Sequence, residues 1–278
     1  MGAKVLVIVG PTASGKSARA VEEGLKRGGE IVSVDSRQVY RGLDIGTEKI
    51  TREEMRGVPH HLIDIRELEE SYSAGDFVDD ASRLIEEISS RGKLPILVGG
   101  THFYFDALLH GLPARVPMNR ELREKLETFS TEELFVQIQK RDPRRAKELD
   151  PKNRRRLIRA LEIIEEQGAV PPRCSYFGPV GNNKNISWIV INPPAKELRE
   201  HIEIRLKNAL ERGLIEETRR VREEVGDARL NEFGLEYRIV GEFLHGERTE
   251  ESLLPILSAK LWQLAHRQKA WLKKLRIS

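Results

Sequence analysis

The 278-residue sequence predicts an α/β protein, a parallel sheet flanked by helices, with an all-helical insertion. Three observations carry this prediction. Short apolar runs without alternation, KVLVIV at Lys4–Val9 and PILV at Pro95–Val98, read as strands buried on both faces. Segments with helical spacing separate the strands, as parallel pairing with right-handed crossovers requires. From Asn119 to Gln167 the sequence becomes charged and helical throughout.

Taken in order, Lys4–Val9 is the first strand, and it runs into a glycine-containing loop at Gly10–Ser17. A helix is predicted from Lys16 to about Lys26. Ile31–Val34 is a second strand, with Asp35 just past its end, and His60–Ile65 is a candidate third. Phe77–Ser90 has helical periodicity through Phe77, Ala81, Leu84, Ile85 and Ile88. Gly99-Gly100 closes the Pro95–Val98 strand. In the charged segment, Pro143 and Pro151 are placed as helix starts. The stretch Ala169–Asn185 holds Pro171, Pro172, Gly178, Pro179 and Gly181 and reads as a linker. Ser187–Ile191 is a strand predicted to rejoin the sheet, and Ala195 onward is helical. The expected organisation is a core of residues 1–112 and 186–278, with residues 113–185 as a basic helical insertion.

Composition excludes several classes. At 39% hydrophobic and 33% charged residues, the chain can bury a core under a charged surface. No run reaches the roughly 20 apolar residues of a membrane span. The N-terminal apolar run carries a lysine and no cleavage site, so it reads as a strand and not a signal peptide. Cys174 is the single cysteine, which excludes an intrachain disulfide and a cysteine-rich zinc site. A reducing cytoplasm and a monomeric chain are the expected setting. The net charge of +3 does not by itself argue for nucleic acid. Its distribution does. Arg141, Arg144, Arg145, Lys147, Lys152, Arg154, Arg155, Arg156 and Arg159 share a short span with Asp142, Glu148 and Asp150 as its only acids. A single-signed excess of this kind suits contact with a phosphate backbone, against the alternative of a solvated helix face.

Gly10-Pro11-Thr12-Ala13-Ser14-Gly15-Lys16-Ser17 matches G-x-x-x-x-G-K-[ST] between a strand and a helix. The glycines let the backbone present N–H groups to phosphate oxygens, and the helix N-terminus adds a positive dipole end. Lys16 supplies a mobile charge for the terminal phosphate, and Ser17 a hydroxyl for Mg²⁺. The core is therefore P-loop NTPase-like. Any diphosphate carried with magnesium satisfies the same physics as ATP.

Ligands of such sheets sit at the C-terminal strand ends. Asp35 and Gly99-Gly100-Thr101 fall there. Residue chemistry alone leaves Asp35 open between a magnesium ligand, a general base and a helix N-cap. His60 and His61 are adjacent on a strand and face opposite sides, so structural roles are expected. Phe103, Tyr104 and Phe105 are expected mostly in the core, with lining of a ligand pocket as the other reading. Trp262 and Trp271 are expected to pack the last helix.

The motifs GPTASGKS, SVDSRQVYRGLDIGTEK, PHHLIDI, YSAGDF and LVGGTHFYFDALLHGL occur in that order, followed by RRRLIRALEI and LAHRQKAWL. Together they closely resemble the tRNA dimethylallyltransferase (tRNA isopentenyltransferase) family, from Val5 to about Lys274. The resemblance implies transfer of a five-carbon group from dimethylallyl diphosphate to the exocyclic amine of the adenosine 3′-adjacent to the anticodon, with release of pyrophosphate. By the same resemblance the loop Gly10–Ser17 holds the donor's diphosphate, with Thr12 and Arg205 assisting. Asp35 matches the general base. Asp35, Ser36, Arg37, Gln38, Thr101, Arg123, Arg155, Arg156, Leu157, Ile158 and Arg159 match positions that contact tRNA. Two positions depart from the usual pattern. Glu236 stands where glycine is usual, in FGLEYR, and Trp262 replaces a common arginine ahead of Ala265–Gln268. Two other readings share the phosphate loop: a prenyltransferase of free AMP, ADP or ATP, and a P-loop kinase of a small metabolite. The basic insertion favours tRNA. A non-catalytic RNA-binding protein does not need Thr12, Lys16, Ser17, Asp35 and Arg205 together.

Overall fold

The computed structural model describes residues 4–114, 116–173, 176–177 and 185–275. Cys174 and much of the predicted linker lie outside them. The chain divides into two compact units: residues 1–108 with 179–278, and residues 109–178.

The first unit is built on a five-stranded, fully parallel sheet of order β3-β2-β4-β1-β5. The strands are β1 (Val5–Val9), β2 (Gly29–Ser33), β3 (His60–His61), β4 (Leu94–Gly99) and β5 (Ile186–Val190). Every residue of β1 is buried. That is why its sequence shows no polar alternation: it lies between β4 and β5 with both faces covered. β3 is shorter than the predicted His60–Ile65 strand. Leu62 and Asp64 take positive φ angles of 61° and 54°, which end the extended backbone after His61. β5 pairs with β1 and so returns the chain to the sheet after the insertion.

Helix α1 (Lys16–Arg27) follows β1 and ends on Gly28 in the left-handed region. The short α2 spans Arg52–Met55. Helix α3 (Ala74–Ser90) starts at a capping box of Ser73 and Asp76 and buries the five periodic positions read from sequence. Helix α4 (His102–His110) leaves the end of β4. Four C-terminal helices follow β5: α9 (Ala195–Glu211), α10 (Leu214–Leu230), α11 (Leu235–Leu244) and α12 (Glu250–Lys274). Their shared core includes Leu198, Ile202, Leu206, Val240, Leu257 and Leu261, and Ala13 of the phosphate loop packs against it. Among the described residues no helix is long and apolar enough to cross a membrane.

The second unit holds α5 (Arg120–Glu127), α6 (Thr131–Arg141), α7 (Pro143–Glu148) and α8 (Arg154–Gln167). Its own core is formed by Leu126, Leu134, Ile138, Leu157, Leu161 and Ile164, among others. Pro143 is the first residue of α7, behind an Asp142 N-cap. Pro151 does not start a helix. It sits in a turn, and Asn153 caps α8, because the Asn153 side chain accepts the Arg156 N–H.

The two histidines are structural. The His61 Nε2 bonds the Glu30 carboxylate at 2.8 Å, and His60 Nδ1 bonds the Val58 carbonyl at 2.8 Å. Tyr104 and Phe105 are buried, whereas Phe103 is 54% exposed and lies outside the core.

Candidate active site

The phosphate loop needs unusual backbone. Ala13 and Gly15 have φ angles of 58° and 80°, which turn successive N–H groups the same way at the start of α1. A side chain at Gly10 would sit 2.5 Å from the Ile191 carbonyl oxygen and 2.7 Å from Ser14 Oγ, so only glycine fits there. Ser14 Oγ is buried and has no hydrogen-bond partner among the described residues. A phosphate oxygen in the loop would give it one.

Lys16 folds back, its ammonium donating to the Pro11 carbonyl at 2.7 Å. Burial, helped by the nearby Arg205 charge, pushes this ammonium down to about 8, while Asp35 and Glu48 pull the other way. The cradle thus holds an imperfectly compensated cation, which suits an anionic ligand.

Arg205, near the middle of α9, reaches the loop and fixes it. One guanidinium nitrogen donates to Thr12 Oγ1. Another bonds the Gly46 carbonyl at 3.4 Å and Glu236 Oε1 at 3.2 Å, and Nε meets Glu48 Oε2 at 2.6 Å. The segment carrying Gly46 and Glu48 is itself anchored. The backbone N–H groups of Asp44, Ile45 and Gly46 donate to the buried Glu217 carboxylate at 2.8–3.1 Å. Tyr237 donates its hydroxyl to the same carboxylate at 2.7 Å. A Cβ at Gly46 would lie 2.7 Å from the Tyr237 ring, so this packing also demands glycine.

Asp35 sits beyond the end of β2. Its Oδ1 accepts the Arg37 and Gln38 N–H groups at 2.8 and 3.3 Å, while Oδ2 makes no hydrogen bond among the described residues. One oxygen therefore caps the turn and the other is left for chemistry. Of the three readings that residue type left open, the helix N-cap is corrected: no helix starts after Asp35, and Oδ1 caps a turn instead. Thr101 Oγ1 accepts the Ser36 N–H at 3.0 Å, and the Thr101 N–H donates to the Val34 carbonyl at 3.2 Å, tying the Asp35 turn to the end of β4. The Gln38 side chain is spent internally, on Ser33 and on the Thr47 and Glu48 carbonyls.

Gln268 in α12 was legible only as part of a motif, with no role attached. It is buried. Its amide oxygen accepts the Thr12 N–H at 2.7 Å and its nitrogen donates to the Gly100 carbonyl at 3.1 Å, so it bridges the phosphate loop to the β4 turn. Gln268→Leu strands both partners. It is expected to cost about 1–3 kcal/mol of stability and to raise KM for a diphosphate ligand more than it lowers kcat. Thermal unfolding and steady-state kinetics check this. His102 also faces the loop's charge: burial and Lys16 hold its imidazole down at about 4, neutral and stacked on Trp271 at 4.1 Å.

No cluster of three or more His, Cys, Asp or Glu side chains suited to a metal exists among the described residues. The donor set fits a Mg²⁺ that is carried mainly on phosphate oxygens and waters, with the exposed Ser17 hydroxyl as its protein ligand, and does not fit a protein cage.

In the helical unit, Glu162 is fully buried and holds two predicted RNA contacts. Arg123 donates Nε and a terminal nitrogen to it at 3.1 and 2.8 Å, and Arg159 donates at 3.1 Å. Arg141, Arg144, Arg145 and Arg154 are paired with Glu165, Glu148 or Glu127, several of which lie outside the basic span. Arg155 and Arg156 are exposed and pair with no acid among the described residues. Leu157 and Ile158 are core residues at 0% and 3% exposure, so their side chains are not available to a ligand. The helical period interrupts the predicted contact run: 157 and 158 face inward.

The family model described as IPP transferase matches residues 38–275. The tRNA dimethylallyltransferase of Thermomicrobium roseum is 41% identical over 98% of this chain and 84% of its own length. That of Streptococcus pneumoniae is 40% identical over 98% and 90%. Among solved structures, the tRNA isopentenylpyrophosphate transferase of Bacillus halodurans superposes with a TM-score of 0.73 at 36% identity, over 99% of this chain and 88% of that one. A eukaryotic dimethylallyltransferase acting on tRNA superposes with a TM-score of 0.82 at 28% identity, over 98% and 70%. A family match across most of the chain and near-full-length relatives at about 40% identity agree with the site's geometry: the chain belongs to the IPP transferase family.

Proposed function

We propose that the protein transfers the dimethylallyl group of dimethylallyl diphosphate to the exocyclic amine of the adenosine 3′-adjacent to the anticodon of tRNA, in the cytoplasm. The observation that carries this reading is the placement of an aspartate with one unengaged oxygen at the same sheet end as a cationic phosphate cradle. Asp35 is near enough to Lys16 to support its charge. A phosphoryl-transfer enzyme also needs the cradle. Alkylation of an amine additionally needs a base for the proton that the amine loses.

In this reading the diphosphate lies along the Gly10–Ser17 backbone, with Lys16, Arg205 and the hydroxyls of Thr12 and Ser14 around it. The adenine nitrogen attacks the allylic carbon as its bond to the diphosphate oxygen breaks. Charge builds on the departing pyrophosphate, where Lys16 and Arg205 stabilise it. Oδ2 of Asp35 takes the amine proton. Ser17 would hold a Mg²⁺ ion, which when bound would add positive charge at the leaving group. An adenine within an anticodon loop reaches such a pocket by leaving its stack.

Mass spectrometry of unfractionated tRNA incubated with the enzyme, Mg²⁺ and donor tests the reading. One five-carbon unit gained on adenosine supports it. Product on free AMP with none on an anticodon stem-loop, or phosphate transfer from ATP, refutes it. The unpaired arginines of α8 give a separate check. Arg155→Ala with Arg156→Ala is expected to weaken tRNA binding and to reduce the log–log salt slope by about 1–2. Titration of labelled stem-loop at several salt concentrations measures it, and KM for the donor stays unchanged.

A further inference from the structure

Glu236 is a carboxylate beside the cradle that the reaction scheme does not use. It does not project into solvent. Glu236 is the second residue of α11, its side chain is 13% exposed, and its Oε1 lies 3.2 Å from the Arg205 guanidinium. Glu48 grips the same guanidinium at 2.6 Å from the opposite segment and is 50% exposed. The cation assigned to the donor's diphosphate is therefore shared by two carboxylates in the donor-free protein. Burial raises the Glu236 carboxyl above the ordinary range, with Arg205 opposing and Asp35 and Glu48 adding to the rise.

The charge balance of donor binding follows. A diphosphate brought to the far side of Arg205 repels both carboxylates. Glu48 is half in water, where screening and rotation relieve it. Glu236 is enclosed by Arg205 from α9, by Glu48 and Asp35 from the loops, and by Tyr237 next to it, whose hydroxyl is spent on Glu217. It is relieved by becoming neutral.

We propose that Glu236 is a positioning residue that holds Arg205 in place before donor arrival and releases its charge to the diphosphate by taking up one proton from solvent as the donor binds. The proposal rests on the reading that the cradle accepts dimethylallyl diphosphate. No bond other than O–H of the carboxyl forms, and the proton comes from buffer.

Its consequence for pH has a fixed sign. Donor affinity is greatest where Glu236 is already neutral. It falls as pH rises from the carboxyl's donor-free pKa to its donor-bound pKa, and is level above that. Glu236→Gln keeps the shape and the hydrogen bond to Arg205 but carries no titrating group.

The test is calorimetric titration of the full-length protein with dimethylallyl diphosphate and Mg²⁺, without tRNA, in two buffers of different ionisation enthalpy. Lys16 and the donor's own phosphates also exchange protons, but equally in both proteins. The difference between wild type and Glu236→Gln therefore isolates Glu236. The expected result is about one more proton taken up by wild type near neutral pH. Alongside it, the donor binds Glu236→Gln about tenfold more tightly, corresponding to about 1.4 kcal/mol. Glu48→Gln, at the exposed partner, is expected to leave the proton uptake in place. Equal uptake in wild type and Glu236→Gln, or weaker donor binding by Glu236→Gln with unchanged circular dichroism, overturns the proposal. No binding of donor to wild type overturns the underlying reading and the proposal with it, a result separable from the first two.

Discussion

Asp35→Asn is expected to lower turnover by about 10²- to 10⁴-fold while leaving tRNA affinity and stability close to wild type. The reason is the division of labour between the two carboxylate oxygens. Oδ1 caps the turn by accepting the Arg37 and Gln38 N–H groups. An asparagine oxygen accepts those bonds equally well but cannot take a proton from an amine. Asp35→Ala removes both functions, so it is expected to lose turnover to the same degree and about 1 kcal/mol of stability besides. Single-turnover kinetics with thermal unfolding on the two variants separates the roles. If Asp35→Asn turns over normally, the aspartate is a cap and the proton leaves by another route.

Lys16→Met is expected to move activity and stability in opposite directions. Turnover falls by about 10²- to 10³-fold, because a positive charge on the leaving pyrophosphate is lost. Stability of the donor-free protein rises. The Lys16 ammonium is held at about 8 in the folded chain against an ordinary 10.5, chiefly by burial. Between those values the unfolded chain binds the extra proton, so wild-type stability increases with pH through that window. Below it, the charged ammonium is a standing cost of about 1–3 kcal/mol once its partial exposure is discounted. Lys16→Met is therefore expected to unfold at a higher temperature than wild type at pH 7. The gap closes as pH approaches the upper limit. Saturating donor reverses the order at pH 7, since wild type then gains more binding free energy than Lys16→Met. Thermal unfolding at pH 7 and pH 10, with and without donor, measures all three.

Stored cost of this kind recurs around the cradle: a strained loop at Ala13, an unpartnered Ser14 hydroxyl, a half-buried cation at Lys16 and a carboxylate buried beside Arg205. A diphosphate relieves two of these, giving the Ser14 hydroxyl a partner and the Lys16 ammonium a counter-charge.

The strands, the loop and the helices that frame the site were legible because their signals are local. An apolar run such as Val5–Val9 reports burial on both faces, and a glycine-lysine-serine turn after it reports an anion cradle, whatever the rest of the chain does. Where the local signal was weak, prediction drifted. The His60–Ile65 strand stops after two residues because Leu62 and Asp64 leave the extended region. Leu157 and Ile158 follow a run of arginines in sequence but turn inward on α8. The basic span looked short of acids because the partners of Arg154 and Arg159, Glu127 and Glu162, come from elsewhere in the unit.

By itself the sequence determined the parallel α/β core, the glycine-rich loop between its first strand and helix, and the family, because each is written in contiguous residues. Only the tertiary structure decided that Gln268 pins the cradle from 256 residues away, that Glu217 anchors the loop opposite it, and that Glu236 competes for Arg205. Those contacts join segments remote along the chain, and their energies come from burial and charge proximity that exist only once the chain is folded.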